Sequence, residues 1–464
     1  MIFTQYYLDC LSQASYLIGD ETTGRAVVVD PRRDIDEYLR DAAELGLTIE
    51  LVLETHFHAD FLSGHLELAA ATGAEIGYGA DAEAEFAFRR LHDGERISLG
   101  EVTLEIRETP GHTPESISIV VYEHADDDVP YGVLTGDTLF IGDVGRPDLL
   151  SSIGVTADDL ASRLYRSVRD RLLTLPDETR VFPGHGAGSA CGKNLSTATQ
   201  STIGEQRVTN YALRPMTEAE FVTVVTEGQP SAPGYFIFDA TKNRQEHGLH
   251  DGQAALPALD HAALLQARAD GAAVVDTRSA ADFAAGHLVG SLNVGLDGRF
   301  AEYVGSVVPP ETPIVLVSDP GTEAEARLRL ARIGYDHVIG HLDEPERVML
   351  EHPEEVVRST RITASDLRTR LAGAIDVQIV DVRNRGEVAV GPLEGSTNVP
   401  LPELRARLGE LDPLRPTVVA CAGGYRSVIA ASLLAEQGFE DVSDLLGGYT
   451  AWIGVAEAEP APAG

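Results

Sequence analysis

Along the first 210 residues, short apolar runs alternate with segments whose apolar positions recur every three or four residues. Ala26 to Val29 is an unbroken strand-like run, Ile35 to Leu45 has helical spacing and is closed by Gly46, and Glu50 to Glu54 starts the next strand. Strands alternating with helices predict an α/β domain. Several histidines stand where these strands end and loops begin. The pattern fades over Tyr211 to Leu259, a stretch rich in Pro, Gly and Gln that reads as an ordered connector.

Beyond the connector the pattern returns twice, as an internal repeat. Asp276, Arg278, Gly286, Gly290, Ser291 and Asn293 recur in the same order and spacing as Asp381, Arg383, Gly391, Gly395, Ser396 and Asn398. Each copy has a buried-strand run ending in Asp-x-Arg (Ala273 to Arg278; Ile379 to Arg383), a glycine turn and a second strand (Ile314 to Val317; Thr417 to Ala420). A helix follows in each, ended by Gly334 or Gly438 before a further strand, which predicts two small open α/β sheets.

A length of 464 residues exceeds a single hydrophobic core, and 43% hydrophobic residues can fill several. The expected division is 1–210, a connector over 211–259, a first copy over 260–355 and a second over 362–457. Acidic residues outnumber basic ones 73 to 36, for a net charge of −37, and only Lys193 and Lys242 among the basic residues are lysines. Such a surface repels phosphate backbones and anionic lipid, so neither nucleic acid nor membrane is an expected partner. No run approaches the ~18 apolar residues of a membrane span, and Met1 to Gln13 lacks a basic stretch followed by an apolar one. A cytoplasmic location is expected. Cys10, Cys191 and Cys421 are too few and scattered for a disulfide framework or a Cys-based zinc site, so each is read alone as buried filler or reactive thiol.

Thr55 to Phe61 reads T-H-F-H-A-D-F directly after a strand, and the turn must aim His56, His58 and Asp60 into one concavity at the sheet's edge. His112 in P-G-H-T-P, Asp137 in T-G-D-T and His185 in F-P-G-H-G follow at further strand ends. Histidine and aspartate are the usual ligands of zinc and non-haem iron. In this order and setting the six residues resemble the metallo-β-lactamase superfamily, which implies an αββα sandwich for about the first 210 residues. The dinuclear hydrolases of that superfamily have a histidine directly after the Asp, where this chain has Phe61; that weakens a second metal site. What remains is two imidazoles and a carboxylate, His56, His112 and Asp137, an arrangement that leaves positions open at Fe(II) for substrate and dioxygen.

Together with Gly136 to Leu149, G-D-T-L-F-I-G-D-V-G-R-P-D-L, this set is similar to the persulfide dioxygenases. The resemblance implies His56, His112 and Asp137 as ligands to one Fe(II) per chain, with zinc the alternative. It implies His58, Asp60 and His185 as nearby groups that orient ligands or move protons, or as a vestigial second metal site. Arg146 reads either as a binder of a substrate carboxylate or phosphate or as a loop-ordering arginine. Cys191, six residues after His185, reads either as a second reactive thiol over the metal or as buried filler. Cys10 reads as structural.

The second copy carries C-A-G-G-Y-R-S, Cys421 to Ser427, between a strand and a helix. A loop containing Gly423 and Gly424 can curl so that backbone N–H groups point at the sulfur, and the helix adds its positive end; both favour thiolate. Arg426 adds a fixed charge for an anionic substrate. The loop resembles the active-site loop of rhodaneses, implying a three-layer α/β/α domain in which Cys421 is the nucleophile, Arg426 assists, and Ala422, Gly423, Gly424, Tyr425 and Ser427 cradle the sulfur. In the first copy the matching position is Ser318, followed by Asp319, so that copy resembles the inactive rhodanese-like domains, with an expected role in spacing, docking or oligomerisation.

Taken together, these resemblances imply oxidation of a low-molecular-weight thiol persulfide by dioxygen to sulfite, coupled through Cys421 to thiosulfate formation, as in sulfide detoxification. A homo-oligomer is compatible with this reading. Two other functions fit parts of the pattern. One is a zinc thioester hydrolase of the glyoxalase II type, with an appended sulfurtransferase, which Phe61 argues against. The other is a non-oxidative carrier or sensor of sulfane sulfur.

Overall fold

The computed structural model describes residues 1–149, 154–252, 254–373 and 376–458. By its internal contacts the chain forms two compact units, residues 1–252 with 331–334, and residues 253–330 with 335–464.

The first unit is built on two six-stranded sheets. One runs in sequence order through β1 (Ile2–Leu8), β2 (Gln13–Gly19), β3 (Arg25–Val29), β4 (Thr48–Leu53), β5 (Glu75–Gly79) and β6 (Arg89–Leu91). The other comprises β7 (Arg96–Ser98), β8 (Thr103–Glu108), β9 (Ile117–Tyr122), β10 (Gly132–Gly136), β11 (Arg180–Pro183) and β12 (Ser201–Thr202), again in order across the sheet. Strand alternation sends one set of side chains between the sheets, where Tyr16, Val27, Val29 and Leu53 meet Leu104, Ile106, Ile119, Val121 and Leu134. The intervening residues face outward under helices. Leu17, Val28 and Val52 pack with Tyr38 of α1 (Asp36–Glu44) and Leu68 of α2 (His65–Thr72). Val120, Val133 and Val181 pack with Leu164 of α3 (Ala157–Arg166). The result is the four-layer αββα sandwich.

The stretch expected as a connector contributes to this unit's core instead. After α4 (Ile203–Thr209), a capping box between Thr217 and Glu220 starts α5 (Glu218–Thr226), whose Phe221 and Val225 are buried beside Leu164. A further helix, α6 (Phe236–Lys242), follows, and the unit extends to Gly252. These helices are short and separated by Pro and Gly, so little local periodicity marks them in the sequence.

In the second unit each copy has a five-stranded parallel sheet. The first copy runs Ala258–Leu259, Val338–Leu342, Ile314–Val317, Ala273–Asp276, Ser291–Asn293, and the second Thr360–Ile362, Val442–Leu445, Thr417–Ala420, Gln378–Asp381, Ser396–Asn398. The central strands are buried throughout, as parallel strands covered on both faces must be.

The repeated residues are the framework of this architecture. Arg278 forks onto the Asp276 carboxylate (Nε 3.0 Å, Nη2 2.6 Å) and donates to Gly286 O, while the Asn293 amide donates to the carbonyls of Asp276 and Arg278 (both 3.0 Å). Arg383, Asp381, Gly391 and Asn398 repeat the same bonds (Nε 3.0 Å, Nη2 2.6 Å; amide 2.8 and 2.9 Å). The pin ties the end of one strand to its neighbour and closes the buried charge on a bidentate partner.

Candidate functional site

At the carboxyl end of β4 the chain turns through His56 to Asp60, and the loops after β8 and β10 bring in His112 and Asp137. All three candidate ligands are buried, and one donor atom from each lies within 4.8 Å of the others. His56 Nε2 is 3.9 Å and His112 Nε2 3.5 Å from Asp137 Oδ2.

The opposite atom of each group is already engaged. Thr55 Oγ1 donates to Asp30 Oδ2 (2.8 Å) and so accepts from His56 Nδ1 (3.0 Å). His112 Nδ1 donates to the Arg146 carbonyl (2.8 Å), and His185 Nδ1 donates to Asp137 Oδ1 (2.8 Å). His56 Nε2 and Asp137 Oδ2 are left buried without a hydrogen-bond partner, facing the same point. Burial, then the charge of His58, holds the His56 imidazole well below its ordinary value; for Asp137 burial is outweighed by His185, and the carboxyl stays well below the usual range. A neutral imidazole and an ionised carboxylate with orphaned, convergent atoms are what a cation requires. The donor set fits a divalent metal.

His58, Asp60 and His185, read together from sequence, belong to two different clusters. His58 Nε2 turns to Asp30 Oδ1 (3.1 Å) and Glu54 Oε2 (3.4 Å), two buried carboxylates that sequence reasoning missed. Burial is outweighed by these acids and His58 is pushed up to about 10, while burial carries Glu54 up to about 7. Asp30 adopts φ 51°, a left-handed conformation held by its bonds to Thr55 N (2.7 Å) and Oγ1. An acid ending each buried strand run, V-V-V-D and V-L-E, was the available signal.

His185 Nε2 instead meets Asp60 Oδ2 at 2.7 Å, with Cys191 completing a third buried group of ligand-type atoms. The Phe61 ring lies 4.3 Å from His58 and 6.5 Å from His185. An apolar ring thus accompanies the two histidines where the hydrolases have a further ligand. Burial, then Asp60 and Asp137, pushes the Cys191 thiol well up, so it stands as a protonated, enclosed group.

Arg146 is committed to the protein. Its guanidinium forks onto Asp148 (2.7 and 2.8 Å) and donates to the carbonyls of Ala190 and Pro230 (3.0 and 2.8 Å). The loop-ordering reading is the one the geometry carries, since this loop supplies the carbonyl that fixes His112. Beside it lies a cavity of about 690 Å³ lined by Ala59, Glu83, Glu85, Arg146, Phe236, Ile237 and Arg244. Ala59 sits between His58 and Asp60, so the cavity adjoins the ligand loop, and α6 forms part of its wall.

In the second unit, Cys421 follows the strand Thr417–Ala420 and is buried. Gly424 takes φ 105° at the start of the helix Tyr425–Glu436, which turns its N–H onto Cys421 Sγ at 3.1 Å; Ser427 Oγ lies 3.5 Å from the same sulfur. A side chain at Gly448 would collide with the Cys421 carbonyl, 2.2 Å from its Cβ, so glycine lets the last helix close on the loop. Arg426 forks onto Glu387 (2.8 and 2.7 Å), a partner not foreseen from sequence.

In the first copy Thr277 Oγ1 donates to the buried Ser318 Oγ (2.8 Å), and the N–H of Gly321, equivalent to Gly424, is taken by the Glu323 carboxylate (3.1 and 3.0 Å). Both the thiol and the donor that would serve it are lost.

The metallo-beta-lactamase superfamily profile matches residues 8–185, and that of the rhodanese-like domain matches residues 260–344 and 363–454. The persulfide dioxygenase ETHE1, mitochondrial, of Bos taurus is 32% identical over 235 residues, spanning 49% of this chain and 82% of that protein. Its Homo sapiens counterpart is 31% identical over 217 residues, 46% of this chain and 75% of that one. The crystal structure of a metallo-beta-lactamase from Staphylococcus aureus subsp. aureus COL aligns with TM-score 0.67 and 35% identity, covering 73% of this chain and 98% of that chain. The family implies a metal ion at the buried histidines and aspartates. The chain therefore belongs to the metallo-beta-lactamase superfamily, among the homologues of the ETHE1 persulfide dioxygenases, and carries two rhodanese-like domains after that unit.

Proposed function

We propose that the first unit oxidises a low-molecular-weight thiol persulfide with dioxygen, using one iron held by His56 Nε2, His112 Nε2 and Asp137 Oδ2, and that Cys421 carries sulfane sulfur in the second unit. The carrying observation is the trio of ligand atoms whose opposite atoms are each satisfied by Thr55, the Arg146 carbonyl and His185. The net reaction converts persulfide, dioxygen and water to thiol, sulfite and protons, the outer sulfur giving four electrons to dioxygen. When bound, iron would supply the redox chemistry and open positions that this needs.

The chain's own groups do the rest. Thr55, backed by Asp30, holds the His56 tautomer; the Arg146 carbonyl does so for His112; His185, backed by Asp60, turns one carboxylate oxygen of Asp137 inward. The cavity beside Ala59 has the volume and the mixed Arg244, Glu83 and Glu85 lining to take the body of a small polar thiol. Phe61 beside His58 and His185 favours one metal over two.

At Cys421 the reacting form is the thiolate, and the Gly424 N–H and the start of the following helix face its sulfur. That thiolate attacks the outer sulfur of a donor, whose S–S bond breaks to release a thiolate. Transfer to sulfite then forms thiosulfate and restores Cys421. The cytoplasm is the expected location; no helix among the described residues is long and apolar enough to cross a membrane. Replacement of His112 by Ala tests the assignment: oxygen uptake on a persulfide should vanish while sulfurtransfer persists, and uptake that survives would refute it.

A further inference from the structure

The first rhodanese-like copy has lost the thiol and its donor but kept the repeat's pin, and the pinned strand leads directly to the other copy's active-site helix. The Asn293 amide side chain holds the pin, while its backbone N–H donates to Ser432 Oγ in the helix Tyr425–Glu436 (3.0 Å). The Tyr425 hydroxyl, on the residue before Arg426, donates to the carbonyls of Gly295 (2.7 Å) and Asp297 (3.0 Å). Arg329 braces the same turn by donating to the carbonyls of Leu296 and Gly298.

From this turn the first copy enters the helix Phe300–Val307, and the ring of Tyr303 packs against that of Tyr425, centroids 5.4 Å apart at 56°. Tyr425 lies in the Cys421–Ser427 loop, next to Arg426, so this ring contact sets Tyr303 beside the loop that carries the thiol; the charges of Arg426 and Cys421 act on its hydroxyl. Burial, then Glu302, pushes that hydroxyl up, so it is a protonated donor at neutral pH. Arg426 meanwhile spends two of its donors on Glu387, which offsets its charge.

We propose that the thiol-less copy completes the sulfurtransfer site of its neighbour: Tyr303 donates a hydrogen bond to a sulfur oxyanion bound beside Arg426 and Cys421, and so sets the affinity for that anion. The proposal rests on the sulfurtransfer reading above. It gives the first copy a role at the chemistry, beyond the spacing, docking or oligomerisation expected from sequence.

Steady-state transfer from thiosulfate to cyanide by the full chain tests it. The S–S bond of thiosulfate breaks, sulfite leaves, and cyanide takes the sulfane sulfur to give thiocyanate. Tyr303→Phe keeps the ring against Tyr425 and removes only the hydroxyl, so the thermal midpoint should be unchanged. Loss of one charge-assisted donor should raise KM for thiosulfate about tenfold while kcat stays within about twofold. A purely structural role would move the thermal midpoint or kcat instead. A KM within about twofold of the parent, with Cys421→Ser inactive, overturns the Tyr303 proposal and leaves the sulfurtransfer reading standing. A parent chain that transfers no sulfur, or a Cys421→Ser variant that still does, overturns the sulfurtransfer reading and the proposal with it.

Discussion

His56, His112 and Asp137 each use one atom inside the protein and leave the other facing a shared point, and this division of labour makes the supporting residues as testable as the candidate ligands. Thr55→Ala removes the acceptor that fixes His56 Nδ1 and leaves Asp30 short of a donor. Metal affinity, measured by competition with a chelator, should fall by about 10- to 100-fold, with the fold intact by circular dichroism. Cys421→Ser should abolish thiosulfate sulfurtransferase activity and leave oxygen uptake on persulfide at the parent rate, because the proposed oxidation and sulfurtransfer use separate residues. The candidate ligands were legible because strand ends, glycines and histidines coincide along the sequence. Asp30 and Glu54 were not, because an acid closing an apolar strand run looks like any solvated turn residue until the fold buries it against His58. Nor was Glu387, which meets Arg426 only through the second copy's folding.

Among the elements, the repeat was the most informative and the connector the least. Four of the six residues spaced identically in the two copies make identical bonds: Asp-x-Arg, the first glycine and Asn form one hydrogen-bonded pin made twice. Asn398→Ala strands the carbonyls of Asp381 and Arg383 and should destabilise the second copy by about 2 kcal/mol in urea titrations. The single tryptophan, Trp452, packs in that copy's core cluster and reports the transition by fluorescence. The stretch after residue 210 misled because its helices are short and separated by Pro and Gly. Their burial depends on partners far away in sequence, Phe221 on Leu164 for instance, which a local pattern cannot reveal. Thr217→Ala, which breaks the α5 capping box, should cost about 1 kcal/mol of the first unit's stability.

For the whole molecule, the domain order was legible from sequence, and the comparisons agree with it: a metallo-beta-lactamase unit, then two rhodanese-like domains. The net charge of −37 has a consequence of its own. Self-repulsion of so many carboxylates should be relieved by salt, so the thermal midpoint should rise between about 10 mM and 150 mM salt, as the screening length falls from about 30 to 8 Å. A midpoint that fell would mean that ion pairs such as Arg426 with Glu387 outweigh the repulsion.

The proposed oxidation turns on which metal the first unit holds and whether it consumes dioxygen. Metal analysis of the purified full chain, combined with oxygen consumption on a panel of low-molecular-weight persulfides, tests both at once. One iron per chain, oxygen uptake with at least one persulfide and sulfite as product are expected, all lost in His112→Ala. Two zinc ions per chain, thioester cleavage and no oxygen uptake with any persulfide would contradict it.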